Sequence, residues 1–173
     1  MKTQVISSDR VDRILNRIAY EIIERNKGAS TLEIVGIKRK GSRIAADVAR
    51  RIAAIEGVQL RLNELDVSAY RDDRDNRDPG AAHEGSASDF GDMTGRDVIL
   101  VDDVLFTGRT SRAALDAIMQ YGRPRSIQLV ALVDRGHREY PIQPDYVGKS
   151  IPTKHRERVE VDVDGDLSVF LVE

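Results

Sequence analysis

The sequence predicts an α/β protein built on a mainly parallel, twisted sheet flanked by helices. Three observations carry this. Apolar segments of strand length alternate with amphipathic segments of helix length, the signature of βαβ units. The runs "VILV" (98–101) and "LVALV" (129–133) are continuously apolar, as strands covered on both faces are. The first of them runs straight into Asp102 and Asp103, then a Thr-Gly-Arg-Thr turn, then a helix pattern.

Each element follows from its own pattern. In residues 7–28, Val11, Ile14, Leu15, Ile18, Ala19, Ile22 and Ile23 recur at steps of three and four, which predicts one buried helical stripe. Ser8 or Asp9 suits its start, and Gly28 after Lys27 its stop. Residues 31–37 read as a short apolar strand. Residues 42–55 read as a second helix, with Ile44, Ala45, Val48, Ala49 and Ile52 on one face. Residues 58–67 alternate at period two, a strand pattern. Residues 97–101 predict a strand, 110–120 a helix, and 126–134 another strand. Residues 70–96 are polar and rich in Asp, Arg and Gly. So long a connection inside a compact domain predicts a lid, a binding loop or a disordered insert, flexible over about 71–95. Residues 151–173 carry two short β patterns around Asp164-Gly165, a hairpin turn signal.

Composition narrows the function. A chain of 173 residues suits one domain spanning 1–173. Its 27 basic and 29 acidic residues nearly balance, which argues against nucleic-acid binding by bulk charge and leaves a local basic face open. Cysteine is absent, so no disulfide, thiolate nucleophile or thiolate metal site exists. No apolar run approaches the roughly 20 residues of a membrane span, and no apolar leader follows the N-terminal charges. The expectation is a cytoplasmic protein with no membrane partner. Aromatics make up only 5% and Trp is absent, so the core is aliphatic.

The chemistry points to the acidic pair. In an open parallel sheet, ligands bind beyond the carboxyl ends of the strands. Asp102 and Asp103 sit at such an end. The turn behind them opens a helix, where free amides, the helix dipole and a glycine favour a phosphate. Thr107, Thr110 and Ser111 add hydroxyls. An isolated acidic pair reads as a turn cap. The whole run reads as a site for a sugar phosphate, with carboxylates for its hydroxyls beside an anion cradle.

The stretch "VILVDDVLFTGRTSRAAL" (98–115) resembles the 5-phosphoribosyl-1-diphosphate (PRPP) motif of type I phosphoribosyltransferases. "RIAYEIIERNKG", "VGIKRKG", "AYRDD", "GRPRSIQLVALVDRGHREYPI" and "DYVGKSIPT" are similar to the bifunctional pyrimidine-operon attenuator/uracil phosphoribosyltransferase family. The similarity covers nearly the whole chain. It diverges over about 74–94 and at the extreme ends.

The resemblance implies a type I phosphoribosyltransferase fold with a small C-terminal hood (about 151–173) and a flexible active-site loop. It implies transfer of phosphoribosyl from PRPP to uracil, giving UMP and diphosphate, with Mg²⁺ carried in by PRPP and no dedicated protein metal site. Asp102 and Asp103 would hold the ribose hydroxyls, with Asp103 the catalytic candidate. The nucleotide-binding run continues through Val104, Leu105, Phe106, Thr107, Gly108, Arg109, Thr110 and Ser111. Lys38, Arg39, Lys40 and Gly41, with Arg71 from the loop, would grip the diphosphate. The usual family form is Lys-Thr-Arg-Gly. Lys40 therefore replaces a bidentate fork with a point charge. Asp134, Arg135 and Val159 would face the base and hood.

The resemblance also implies UMP-dependent binding of pyrimidine operon mRNA through Arg17, Arg25, Lys27, Arg138 and Lys149. Asn16, Tyr20 and Gln143 depart from the family's usual Thr, His and Arg. These departures leave open a paralogue with altered or lost RNA binding, and the motif leaves another nucleobase open. A homodimer or higher homo-oligomer is implied.

Overall fold

The computed structural model describes residues 1–70 and 90–173. In chain order the elements are β1 (Lys2–Ile6), α1 (Ser8–Asn26), β2 (Leu32–Ile37), α2 (Lys40–Glu56), β3 (Leu62–Leu65), β4 (Asp97–Leu105), α3 (Arg109–Ile118), β5 (Ser126–Asp134), β6 (Tyr146–Ser150), β7 (Arg158–Asp162) and β8 (Ser168–Val172). Five strands form a parallel sheet in the order β3-β2-β4-β5-β6. The other three form a small antiparallel sheet, β1-β8-β7.

Period-two alternation sorts the main sheet into two cores. Ile34, Ile99, Val101, Val130 and Leu132 face α1 and α2. Val35, Val98, Leu100, Leu129 and Ala131 face α3. The small sheet contributes Val161 and Val169 to the first core. Ile18 and Ile22 of α1 are completely buried there, each contributing about 1.5–3 kcal/mol. Ile23, on the flank of the same stripe, is only partly buried.

Several boundaries moved for physical reasons. The residue preceding the first turn of α1 is Ser7, in extended conformation and with no side-chain cap bond, rather than Ser8 or Asp9. Lys27 closes α1 in the left-handed region at φ 54°, and Gly28 donates its N–H to the Ile23 carbonyl at 3.0 Å. β3 is shorter than the alternation implied because it is an edge strand paired only to β2. β4 is longer. It runs through both aspartates to Leu105, because β5 keeps pairing with it up to Leu105↔Asp134. β1 exists because β8 pairs with it from the far end of the chain, a partnership no local pattern announces. β6 is short and holds Gly148, whose backbone lies against Leu132 and Ile14; its apolar alternation is too brief to read as a strand.

Candidate active site

The strand order reverses direction between β2 and β4. From β2 the chain goes outward to β3; from β4 it goes the other way, to β5 and β6. Such a switch point leaves a crevice beyond the strand ends. The β2–β4 pairing stops at Gly36↔Val101, and Asp102 is the next residue of β4. On the β2 side the chain passes through Lys38, Arg39 and Lys40 into α2. A side chain at Gly41 would meet the Val101 carbonyl oxygen at 2.6 Å and the Asp102 Cα at 3.2 Å. Only glycine lets the first turn of α2 lie on the strand end. Lys38 and Arg39 are exposed and Lys40 is half-buried. The Lys38–Arg39 peptide is cis. The three side chains form no ion pair or hydrogen bond among the described residues.

Asp102 is buried, and its Oδ1 accepts the Asp103 N–H at 2.9 Å. Asp103 is half-buried. The Val104 and Leu105 side chains turn toward the cores on either side of the sheet. The Leu105 side chain lies in the α3-side core and that of Val104 packs against the other, so only their backbone faces the crevice side of the turn. The turn then closes around Gly108, the residue before α3, at φ 89°. A Cβ there would press on Ile142 at 3.0 Å, so positive φ and close packing both require glycine. Thr107 Oγ1 accepts the Arg109 N–H at 3.2 Å. Thr110 is half-buried in the first turn of α3. Ser111 is only 2% exposed, yet its hydroxyl has no partner. A buried, unpaired hydroxyl at a helix start is costly unless something completes it. Arg109 turns outward to Glu139 (2.6 Å) and the Tyr140 hydroxyl (2.9 Å).

The residues expected to face the base gather beyond β5. Asp134, Arg135, Gly136, His137, Ser150, Pro152 and Thr153 line a cavity of about 400 Å³, a size suited to a small ligand. Arg135 is 6% exposed. Its Nε donates to Thr153 Oγ1 at 3.0 Å and a terminal nitrogen to the carbonyls of Lys154 and His155 at 3.3 and 3.4 Å. The guanidinium stacks on the Phe106 ring at 3.9 Å. Burial lowers its pKa, opposed by the Glu157 carboxylate. Burial would raise the Asp134 carboxyl, but the Arg138 guanidinium and the Gly136 N–H outweigh it and hold the group below its ordinary value. The His137 ring nitrogen Nε2 meets the Thr153 carbonyl at 2.7 Å.

Val159 is not on this cavity. It pairs with Leu171 in the small sheet and packs against the first core. The residues that take its place are Pro152 and Thr153, which carry no chemical signal in the sequence. The C-terminal hood is likewise not one piece. Pro152 and Thr153 line the cavity, whereas β7 and β8 form a small sheet with the N-terminal β1. Arg71 and most of the active-site loop lie outside the described residues.

The remaining basic candidates gather mostly where α1 lies along β6. Arg17 donates to the carbonyls of Val147 (3.1 Å) and Gly148 (2.8 Å) and to Glu21 at 2.7 Å. Arg25 pairs with Asp145 at 2.9 Å. Lys27 is exposed and Lys149 half-buried. Asn16 and Tyr20 are exposed on α1, and Gln143 is exposed in the loop that leads into β6. Arg138 stands apart: its guanidinium turns inward, to Asp134, Phe106 and Ile142.

A parallel sheet whose switch-point crevice joins a cationic loop, an acidic pair and a glycine-turned helix start is the arrangement of a type I phosphoribosyltransferase. The family model described as "Phosphoribosyl transferase domain" matches residues 4–164. A relative from Listeria monocytogenes serotype 4b (strain CLIP80459), named "Bifunctional protein PyrR", is 48% identical over 99% of this chain and 98% of its own length. One of the same name from Bacillus cereus (strain B4264) is 52% identical over 94% of this chain and 91% of its own. A solved hypoxanthine phosphoribosyltransferase from Trypanosoma cruzi superposes with TM-score 0.69 at 19% identity, covering 98% of this chain and 95% of that one. One from Staphylococcus aureus gives 0.66 at 22% identity over 88% and 79%. At such identities the two structures speak for the fold alone. The chain belongs to the phosphoribosyltransferase family and, within it, to the group of proteins named PyrR.

Proposed function

We propose that this protein transfers the phosphoribosyl group of PRPP to uracil, giving UMP and diphosphate, and regulates pyrimidine operon transcription by UMP-dependent binding of mRNA. The observation that carries the catalytic half is the buried, unpartnered Ser111 hydroxyl behind the Gly108 turn. It supports a phosphate as the missing partner, one strand end away from an acidic pair.

In this reading residues 107–111 receive the 5-phosphate. Asp102 and Asp103 take the ribose 2- and 3-hydroxyls, and residues 38–41 take the diphosphate. The C1–O bond to diphosphate breaks, positive charge develops on the ribose ring, and a uracil ring nitrogen attacks from the opposite face and loses its proton. Catalysis is then mostly positioning and charge stabilisation. The Asp103 carboxylate makes no side-chain hydrogen bond among the described residues, so it is the group available to stabilise that charge or accept the proton.

The residues present fit Mg²⁺ as cargo of PRPP. Adjacent carboxylates suit a hard cation with oxygen ligands, and no group of three or more His, Asp or Glu that could cage a metal occurs among the described residues. Asp102 and Asp103 would meet the ion through the substrate's oxygens, and the ion would neutralise the diphosphate.

The regulatory half draws on the α1/β6 face, with Arg17, Arg25, Lys27 and Lys149 as phosphate contacts. Tyr20 and Asn16 on α1 and Gln143 in the loop before β6 are exposed, and their departure from the family's usual residues favours a second reading, a phosphoribosyltransferase with a changed or lost RNA target. A homodimer or larger homo-oligomer in the cytoplasm completes the proposal. No helix among the described residues is long and apolar enough to cross a membrane.

Incubation with PRPP, Mg²⁺ and a panel of uracil, hypoxanthine and guanine should yield UMP from uracil. Turnover of a purine alone moves the specificity, and no turnover with any base overturns the enzyme reading. A pyrimidine leader transcript should shift on a gel more strongly with UMP, and less as salt rises. Absence of UMP-dependent binding at low salt decides for the second reading.

A further inference from the structure

The cradle and the base cavity are not independent parts. Phe106, in the turn of the cradle, links them through two arginines, Arg135 on its ring and Arg138 on its carbonyl. Its ring lies under the Arg135 guanidinium, which is tied to the hood carbonyls of Lys154 and His155. Its carbonyl oxygen accepts from Arg138 at 2.9 Å. Arg138 uses its other nitrogens on the Ile142 carbonyl at 2.8 Å and on Asp134 Oδ2 at 2.7 Å. Asp134 lines the cavity, and Ile142 packs on Gly108 in the phosphate turn.

We propose that Arg138 is a positioning residue that couples the base cavity to the 5-phosphate loop, so that filling either one tightens the other. This rests on the functional reading above and extends it to how the two ends of the nucleotide are sensed together. The physical basis is the fork geometry of one half-buried guanidinium. It satisfies three acceptors belonging to the cavity wall, the loop start and the packing partner of the loop turn. A shift of the loop toward a bound phosphate moves the Phe106 carbonyl. Arg138 transmits that displacement to Asp134, and the Phe106 ring carries it through Arg135 to the hood. Neutral Gln cannot reach all three acceptors. Lys keeps the charge and loses the planar fork.

The test is calorimetric titration of the whole protein with uracil, with and without saturating ribose 5-phosphate, and the reverse. In the unaltered protein each ligand should tighten the other by the same factor, about tenfold, since coupling is reciprocal. In Arg138→Gln that factor should fall to near one, while each ligand alone still binds within a few-fold of the unaltered protein. Arg138→Lys should keep part of the factor, and it carries the test should Arg138→Gln not fold. A merely structural role would weaken the separate affinities without changing their ratio. Binding of both ligands with no mutual effect in the unaltered protein, or an undiminished factor in the variants, overturns the inference alone. Binding of neither ligand by the unaltered protein overturns the functional reading with it.

Discussion

β4 carries aspartate at its start and again near its far end, and the two are treated in opposite ways. At the start, Asp97 is saturated. Arg125 reaches it with two nitrogens, and Thr31 and Ser126 donate their hydroxyls at 2.6 and 2.7 Å. Hydrogen bonding from Arg125, against the opposing effect of burial, holds this carboxyl far below its ordinary range. At the other end, Asp103 has no side-chain hydrogen-bond partner among the described residues. Among the described residues, the buried Ser111 hydroxyl has no partner and the side chains of Lys38, Arg39 and Lys40 form no ion pair. A closed set of partners marks a residue that holds the fold together. An open set in a crevice marks one that waits for ligand.

Substitutions at the two ends should separate these roles. Asp103→Asn should lower kcat/KM by about 100-fold or more, with a melting temperature close to that of the unaltered protein. Unchanged turnover would remove Asp103 from the chemistry. Asp97→Asn should do the reverse, costing about 2 kcal/mol in denaturant unfolding through its lost charged hydrogen bonds, with kcat unaltered.

The same contrast has a pH signature. The folded-state pKa of Asp97 lies below its unfolded value, so its contribution is full above about pH 4 and is lost as pH falls through the folded value. The stability gap between the unaltered protein and Asp97→Asn should therefore narrow steadily below pH 4. A gap that stays constant would mean the carboxylate's charge is not what matters there.

Ser111→Ala is the finest discriminator. It removes a hydroxyl that bonds to nothing, so stability should hold or rise slightly. The affinity for ribose 5-phosphate should fall by about 1 kcal/mol. Loss of stability with affinity intact would make Ser111 a packing residue. The smallest effect is expected on the α1/β6 face. Arg17→Gln and Lys149→Gln should each reduce the salt dependence of transcript binding by about one phosphate contact.

Much of this was legible before any coordinates. The main parallel strands and all three helices follow from periodicity and from one glycine turn, although β4 runs past Asp102 and Asp103 to Leu105 instead of ending at them. The illegible parts share a physical cause. β1 is a strand only because β8, at the other end of the chain, supplies its hydrogen bonds. Val159 falls within the hood by sequence, but pairing of β7 with β8 packs its side chain against the first core. Arg138 looked like a surface cation, and only the proximity of Phe106 and Asp134 turned it inward.

By itself, then, the sequence determined which chemistry the chain carries: an acidic pair, an anion-binding turn and a basic loop, each on a local element that short-range periodicity and backbone preference dictate. The tertiary structure decided which of these groups meet and which are already spent. Whether an aspartate is saturated like Asp97 or open like Asp103 depends on neighbours 28 and more residues away. Pairing across such distances is set by packing of the whole sheet, which no local pattern encodes.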